Sequence, residues 1–409
     1  MKKVLLYILL IYFIVNFANY SQISTKFSAE IRPTLETYSD KLSDKIKVNS
    51  YSTIRTKLNA LFEAQNNITG FIQLQDSRYF GEEKDPINSI NGVDLHQGYI
   101  HVENMFGFQY NLKVGRFEYE LGAGRLISPY EWSPVGRSFD GVVFTPYLKH
   151  VSIDVFGFKT DETLFSNDSL DAHLIGTRLL YKPSDYYIIE PYIFNEKKVS
   201  DSKHLDRFTT GLFIRGDISN FLHEAEFSYQ WGNEKIDGIK QYTSAFMAAA
   251  KLGYTFKTKA VDLGLIAGLE YLSGDDNLSD NDLKAFTVPF GDIYKYYGNI
   301  EYIEDTKEDL FYKGLMDINA ELFFNVIKAK LDISLAGHYF MTAQNYMLSD
   351  SSNSKQYGWE LDLSLYYQYN DNLGLEGGIY YFAPLDILRD TNLYDKTIWL
   401  YLTFYAYFE

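Results

Sequence analysis

The chain has no cysteine and only nine prolines in 409 residues. Without cysteine it can form no disulfide, no thiolate metal site and no cysteine-linked lipid anchor. Past the first stretch there is no apolar run of about 20 residues, so no helical membrane span is expected there. Net positive charge is also missing. The formal charge is −16, the wrong sign for a nucleic-acid partner. Catalytic signatures are absent as well: no H-E-x-x-H, no G-x-S-x-G and no P-loop. His96 and His101 point to opposite faces of a strand and make no metal pair. These absences argue against an enzyme.

Aromatic residues, in contrast, make up 17% of the chain, with 36 Tyr and 30 Phe. They favour strands and membrane interfaces. The chain begins "MKKVLLYILLIYFIVNFANYSQ": two lysines, a short apolar run, then small and polar residues. This reads as a signal peptide over 1–21, with the mature domain at 22–409. It ends "TIWLYLTFYAYFE", where Leu400, Leu402, Phe404, Ala406 and Phe408 alternate with Trp399, Tyr401, Thr403, Tyr405 and Tyr407. A period of two is a strand.

Alternation and turn signals give 18 strands in the sequence: 25–37, 50–64, 66–78, 93–104, 106–118, 138–147, 150–159, 170–182, 185–195, 205–218, 221–232, 243–257, 260–273, 310–325, 327–341, 357–370, 373–384 and 396–408. Every second connection is tight. The others, at 38–49, 79–92, 119–137, 160–169, 196–204, 233–242, 274–309, 342–356 and 385–395, are long. The expected fold is all-β: a transmembrane antiparallel up-and-down β-barrel with short periplasmic turns and long outer loops. The last strand pairs with the first, so that no sheet edge meets lipid. The aromatic C-terminal strand resembles the signal read by the barrel-insertion machinery.

A charge on the lipid face costs about 2–4 kcal/mol at mid-depth, so polar parity marks the lumen. Inward basic candidates include Arg55, Lys57, Lys113, Arg178, Arg207 and Arg215. Inward acidic candidates include Glu224, Glu226, Glu360 and Asp362. The basic set lies mostly before residue 220 and the acidic set after it, which gives one wall of each sign. Such walls either set up a transverse field that sorts solutes or pair with other charges and fill the interior. Arg116 has outward parity unless Gly115 forms a bulge; otherwise it sits at the rim.

The segment "LKVGRFEYELGAGRLISPYEWSPVGRSFDGVVF", followed far downstream by "WELDLSLYYQYNDNLGLEGGIYYFAP", resembles the alginate-export family of outer-membrane barrels. The resemblance covers most of the mature chain. It implies a passive channel in the bacterial outer membrane for polar or charged solutes, an anionic polysaccharide or oligosaccharide among them. It also implies a lumen role for Arg116, Arg125 and Arg137, with Asp140 as an orienting partner. The same residues can instead form bidentate pairs that pin a loop folded into the barrel. Two departures stand out: Phe117 follows Gly115–Arg116 where the family commonly has a polar residue, and the second half of the lumen is acidic.

The loop 274–309 carries ten acidic residues and three lysines. Its run Asp275, Asp276, Asp280 and Asp282 offers hard oxygen ligands for Ca2+ but lacks the twelve-residue loop with a terminal glutamate; a solvated loop is the simpler reading. No other cofactor is expected. Expected partners are outer-membrane lipid, the insertion machinery, and small polar solutes or polysaccharide. The rival reading is a binding or adhesion barrel acting through its long loops.

Overall fold

Alternating apolar and polar side chains put one face of each strand in hydrocarbon and the other in the lumen. A sheet with such strands has to close on itself, since lipid offers no partner for a free edge. The computed structural model shows this closure. It describes residues 23–42, 45–64, 67–82, 92–162, 171–199, 203–236, 239–391 and 395–409. The leader expected at 1–21 lies outside the described residues.

The strands are β1 (Ser24–Leu42), β2 (Lys45–Ala64), β3 (Ile68–Tyr79), β4 (Asp94–Val102), β5 (Tyr110–Phe117), β6 (Phe139–Leu148), β7 (Val151–Asp161), β8 (Ala172–Ser184), β9 (Tyr187–Val199), β10 (Lys203–Ile218), β11 (Phe221–Ile236), β12 (Ile239–Lys257), β13 (Asp262–Leu272), β14 (Asp282–Leu283), β15 (Leu315–Ile327), β16 (Leu331–Met347), β17 (Asn353–Asn370), β18 (Leu373–Pro384) and β19 (Thr397–Phe408). β14 is a two-residue addition, parallel to β12. The other eighteen pair antiparallel around a closed wall. The seam is β1 against β19, from Ala29 opposite Phe408 to Ser39 opposite Ile398.

Strand β17 shows how the pattern sets the faces. Leu361, Leu363 and Leu365 are 42–45% exposed, while Glu360 and Asp362 between them are 2% and 1% exposed. The leucines face outward to lipid and the acids inward. The same alternation holds in β11, where Glu224, Glu226, Ser228 and Gln230 are buried inward and Phe227 and Tyr229 are exposed outward.

Three of the expected long loops are mostly strand. Pairing of β1 with β2 continues to Leu42 opposite Lys45, and that of β11 with β12 to Ile236 opposite Ile239. β9 likewise runs on to Val199. The sequences of these extensions are rich in lysine, aspartate and glutamate with few apolar residues between them, so no long lipid-facing stripe marks them. Backbone pairing alone carries them outward, where water solvates both sides. At the opposite end of the barrel, the expected tight turn at Met105 is wider. Residues 103–109 include a 3-10 turn at Met105–Gly107, and β5 starts only at Tyr110.

The apolar core of the molecule lies inside the barrel. Leu121, Leu126, Ile127 and Phe286 come from the two long loops 118–138 and 273–314. They pack against inward Phe117, Phe156, Phe194 and Phe213 of the wall. The loops also join each other: Ile127 forms a parallel bridge with Phe290, and the amide of Phe290 donates to the Leu126 carbonyl at 2.9 Å. The two longest described connections therefore fold into the lumen.

Candidate functional site

A loop held inside a barrel needs partners for its backbone and charges, and the wall has to supply them. Arg125 is fully buried and reaches across to β11 and β13. Its guanidinium bonds Glu224 at 2.8 Å, Glu226 at 3.2 Å and Glu270 at 2.9 Å. It also lies 4.3 Å from the centroid of the Tyr296 ring. Burial works to lower the arginine's pKa, but Glu270, Tyr296 and Glu226 outweigh it and raise it well above its ordinary value. This is a pin, with three carboxylates engaged by one cation.

The basic residues of β1 and β2 hold the other flank of the same loop. Arg32 donates to the carbonyls of Glu131, Trp132 and Ser133 at 2.7–3.0 Å. Arg55 pairs with Glu30 at 2.7 Å and with Glu131 at 3.0 Å. Lys57 bonds Glu131 at 3.2 Å and lies 3.7 Å from Glu118. Burial would raise the Glu131 carboxyl, but the Arg55 and Lys57 charges hold it at about 2. Arg137 links the two loops, donating to the carbonyls of Ser128 (3.0 Å) and Phe290.

The remaining expected residues differ in what they touch. Lys113 points inward and lies over the rings of Tyr99 and Phe117 at 4.0 and 4.5 Å. Arg178 pairs with Asp154 at 2.8 Å and donates to the Glu120 carbonyl at 2.9 Å; Arg207 pairs with Glu196 at 3.0 Å. Arg215 lies 3.5 Å from Glu224 and stays half-exposed at the periplasmic mouth. Glu360 and Asp362 receive the loop 273–314: Glu360 accepts the amide of Asn299 at 2.6 Å, and Asp362 accepts its side-chain amide at 2.8 Å.

Arg116 and Asp140 do not face the lumen. They bond each other at 2.8 Å, and both are exposed. They share parity with outward Val114 and Val142, opposite to buried Phe117, Phe139 and Val143. Gly115 does take φ +133°, but its register with β4 and β6 is unbroken, so no residue is inserted and the parity never switches. The pair sits on the outer wall at the rim. The expected split into basic and acidic walls also needs amending. Asp154, Glu190 and Glu196 of the first half are buried inward, where strand alternation had not singled them out. Acidic wall residues sit beside the arginines and pair with them.

These pins leave space beside the loops, at the seam and against β12–β17. Two cavities flank the loops. An outer one of about 300 Å³ lies among Glu36, Tyr38, Tyr51, Trp132, Tyr302 and Trp399. An inner one of about 400 Å³ lies among Lys251, Asp292, Tyr294, Lys295, His338 and Asp362. Asn299 lines both. Between them Trp132 stacks on Tyr294, with ring centroids 4.4 Å apart and planes 8° from parallel. Trp399 and Tyr401 hold the edge of that stack at 5.7 and 5.1 Å. The Trp and Tyr face of the C-terminal strand thus turns into the lumen; its Leu400 and Leu402 meet lipid.

Glu301 stands at the outer cavity and accepts a hydrogen bond from the Tyr130 hydroxyl. Burial pushes its pKa up to about 7, helped by Glu304, Glu36 and Asp292 and opposed by the Tyr130 bond. Raising the pH from about 6 to about 8 therefore adds negative charge at the constriction. The expected result is a stronger preference for cations, measured as reversal potential against pH, and its loss in Glu301→Gln.

A closed eighteen-strand barrel with a lumen narrowed by two inserted loops agrees with a match that spans most of the chain. Residues 24–392 fit the family model described as "Alginate export". The chain belongs to the alginate-export family. Members are porin-like outer-membrane channels, and this one is a protein of the bacterial outer membrane. Its fold is similar to that of OpdQ from Pseudomonas aeruginosa (13% identity, TM-score 0.59, covering 94% of this chain and 97% of that one). It is also similar to OccK11 (OpdR) of the same organism (12%, TM-score 0.59, 94% and 96%) and to OccAB1 of Acinetobacter baumannii (12%, TM-score 0.58, 94% and 96%). At these identities the likeness speaks for the fold. No curated protein matches the sequence.

The acidic run of the long loop is engaged internally. Asp276 pairs with Lys284 at 2.7 Å, and Asp275 accepts the amides of Asn277 and Lys284 at 2.9 and 3.2 Å. Among the described residues no three His, Asp or Glu side chains gather as a metal site.

Proposed function

We propose that this alginate-export barrel is a narrow passive channel for small polar solutes with a preference for cations, rather than a conduit for an anionic polysaccharide. The carrying observation is the pair of cavities meeting at Asn299 and the Trp132–Tyr294 stack. Their lining holds Glu36, Glu301, Glu304, Asp292, Glu321 and Asp362 against Lys251, Lys295 and His338. The arginines that a polyanion would need are engaged elsewhere: Arg125 by three glutamates, Arg137 by loop carbonyls, Arg116 on the outer wall. Selectivity then comes from width and lining charge, and passage needs no cofactor or energy input. The adhesion reading has less to work with, because the two longest described loops turn inward.

Single-channel recording in a planar bilayer tests this. The expected result is a small steady conductance whose reversal potential under a potassium chloride gradient shows potassium favoured over chloride. An anion-selective conductance, or block by alginate oligomers from either side, would overturn it.

A further inference from the structure

The outer cavity has a composition that the channel reading alone does not require. Its walls carry five aromatic side chains: Tyr38, Tyr51, Trp132, Tyr302 and Trp399. They come from five separate parts of the chain: β1, β2, the seam strand β19, and both inserted loops. Tyr38 meets Tyr51 edge-on at 6.1 Å, and Trp132 meets Trp399 edge-on at 5.7 Å, so the rings stand at angles to one another around the space rather than stacking into a plug. Three carboxylates join them: Glu36, Glu301 and Glu304. No lysine or arginine is among the lining residues. Glu36 takes a hydrogen bond from Tyr51 at 2.8 Å, and Glu301 takes one from Tyr130. Among the described residues, no ion pair is formed by any of the three.

Each ligand class can be weighed against this lining. An anion would meet three carboxylates and, among the described lining residues, no cation; the nearby Arg32 guanidinium is already committed to the carbonyls of residues 131–133. A bare metal ion would want several oxygens converging on one point, but Glu36 comes from β1 while Glu301 and Glu304 come from the loop 273–314, and no metal-binding group forms among the described residues. A neutral sugar would use the rings and leave the charge unused. A compact ammonium ion with methyl or methylene groups uses both, because its charge is attracted to ring faces as well as to carboxylates. The volume of about 300 Å³ lies at the small end of ligand sites. We infer that the outer cavity is a binding site for a small organic ammonium solute, held before it passes the Trp132–Tyr294 stack. This inference rests on the channel reading for its direction of passage, but not for binding.

The test uses the purified full-length barrel in detergent, with choline as the probe and glucose and glucuronate as controls. Two of the four tryptophans, Trp132 and Trp399, line the site; Trp359 is exposed outward, and Trp231 stacks on outward Phe208. Choline is expected to change tryptophan fluorescence saturably, and glucose and glucuronate are expected to leave it unchanged. Trp132→Leu should weaken choline binding about tenfold. Glu304→Gln, on an exposed loop carboxylate where folding is not at stake, should weaken it severalfold. In bilayers choline should reduce potassium current with the same concentration dependence. A fluorescence response without any conductance would sink the channel reading and leave the site standing. An equal response to choline and glucuronate, or none to choline in a conducting barrel, would overturn the site.

Discussion

Arg125→Ala is expected to widen the channel and destabilise the barrel at once. The substitution leaves Glu226 and Glu270 buried with no guanidinium beside them, and Glu224 with only Arg215 at 3.5 Å. Removing one partner from a buried ion network costs about 3–5 kcal/mol, because the orphaned charges remain desolvated. The loop 118–138 loses its anchor on β11 and β13 while Arg32, Arg55 and Lys57 still hold its far flank. The loop should therefore swing from the centre toward β1 and β2 rather than leave the lumen. Single-channel recordings should show a larger, noisier conductance, and thermal unfolding in detergent should start at lower temperature. Arg125→Lys is the informative companion. It keeps the charge but cannot bond three carboxylates in a fork, so it should recover stability only in part. An unchanged conductance in Arg125→Ala would mean that the loop is not what narrows the lumen.

The second large effect is expected at the stacked pair. Trp132→Ala with Tyr294→Ala removes the two rings that separate the outer and inner cavities. Both rings are only half-buried and come from the inserted loops, so the wall pairing is untouched. Conductance should rise severalfold, and the unfolding temperature should fall less than in Arg125→Ala. Cation preference should weaken too, because a wider pore lets solutes pass farther from Glu36 and Glu301. The contrast between the variants is diagnostic: the first acts through loop anchorage and costs stability, the second acts on width alone.

Strand alternation made the barrel legible from the sequence, with its eighteen wall strands and closure through the C-terminal strand, because membrane depth enforces a strict period of two. It also placed Arg207, Glu224, Glu226, Glu360 and Asp362 inward. It could not show that Arg116 and Asp140 pair on the outer rim. That depended on whether Gly115 inserts a residue into the register, and a glycine is compatible with either outcome. Nor could it show that the strands around 38–49 and 233–242 continue into water, since no lipid stripe marks them.

The sequence by itself determined the wall: a charge or a leucine at each position has one tolerable side in a bilayer, and that fixes parity strand by strand. The tertiary structure alone decided what fills the lumen. Loops 118–138 and 273–314 have no periodicity that reports where they fold. Their place follows from contacts far apart in the chain, such as Arg125 with Glu270 and Trp132 with Tyr294. Whether a buried arginine selects solutes or pins a loop depends on which carboxylates surround it in space, and that arrangement exists only once the barrel has closed.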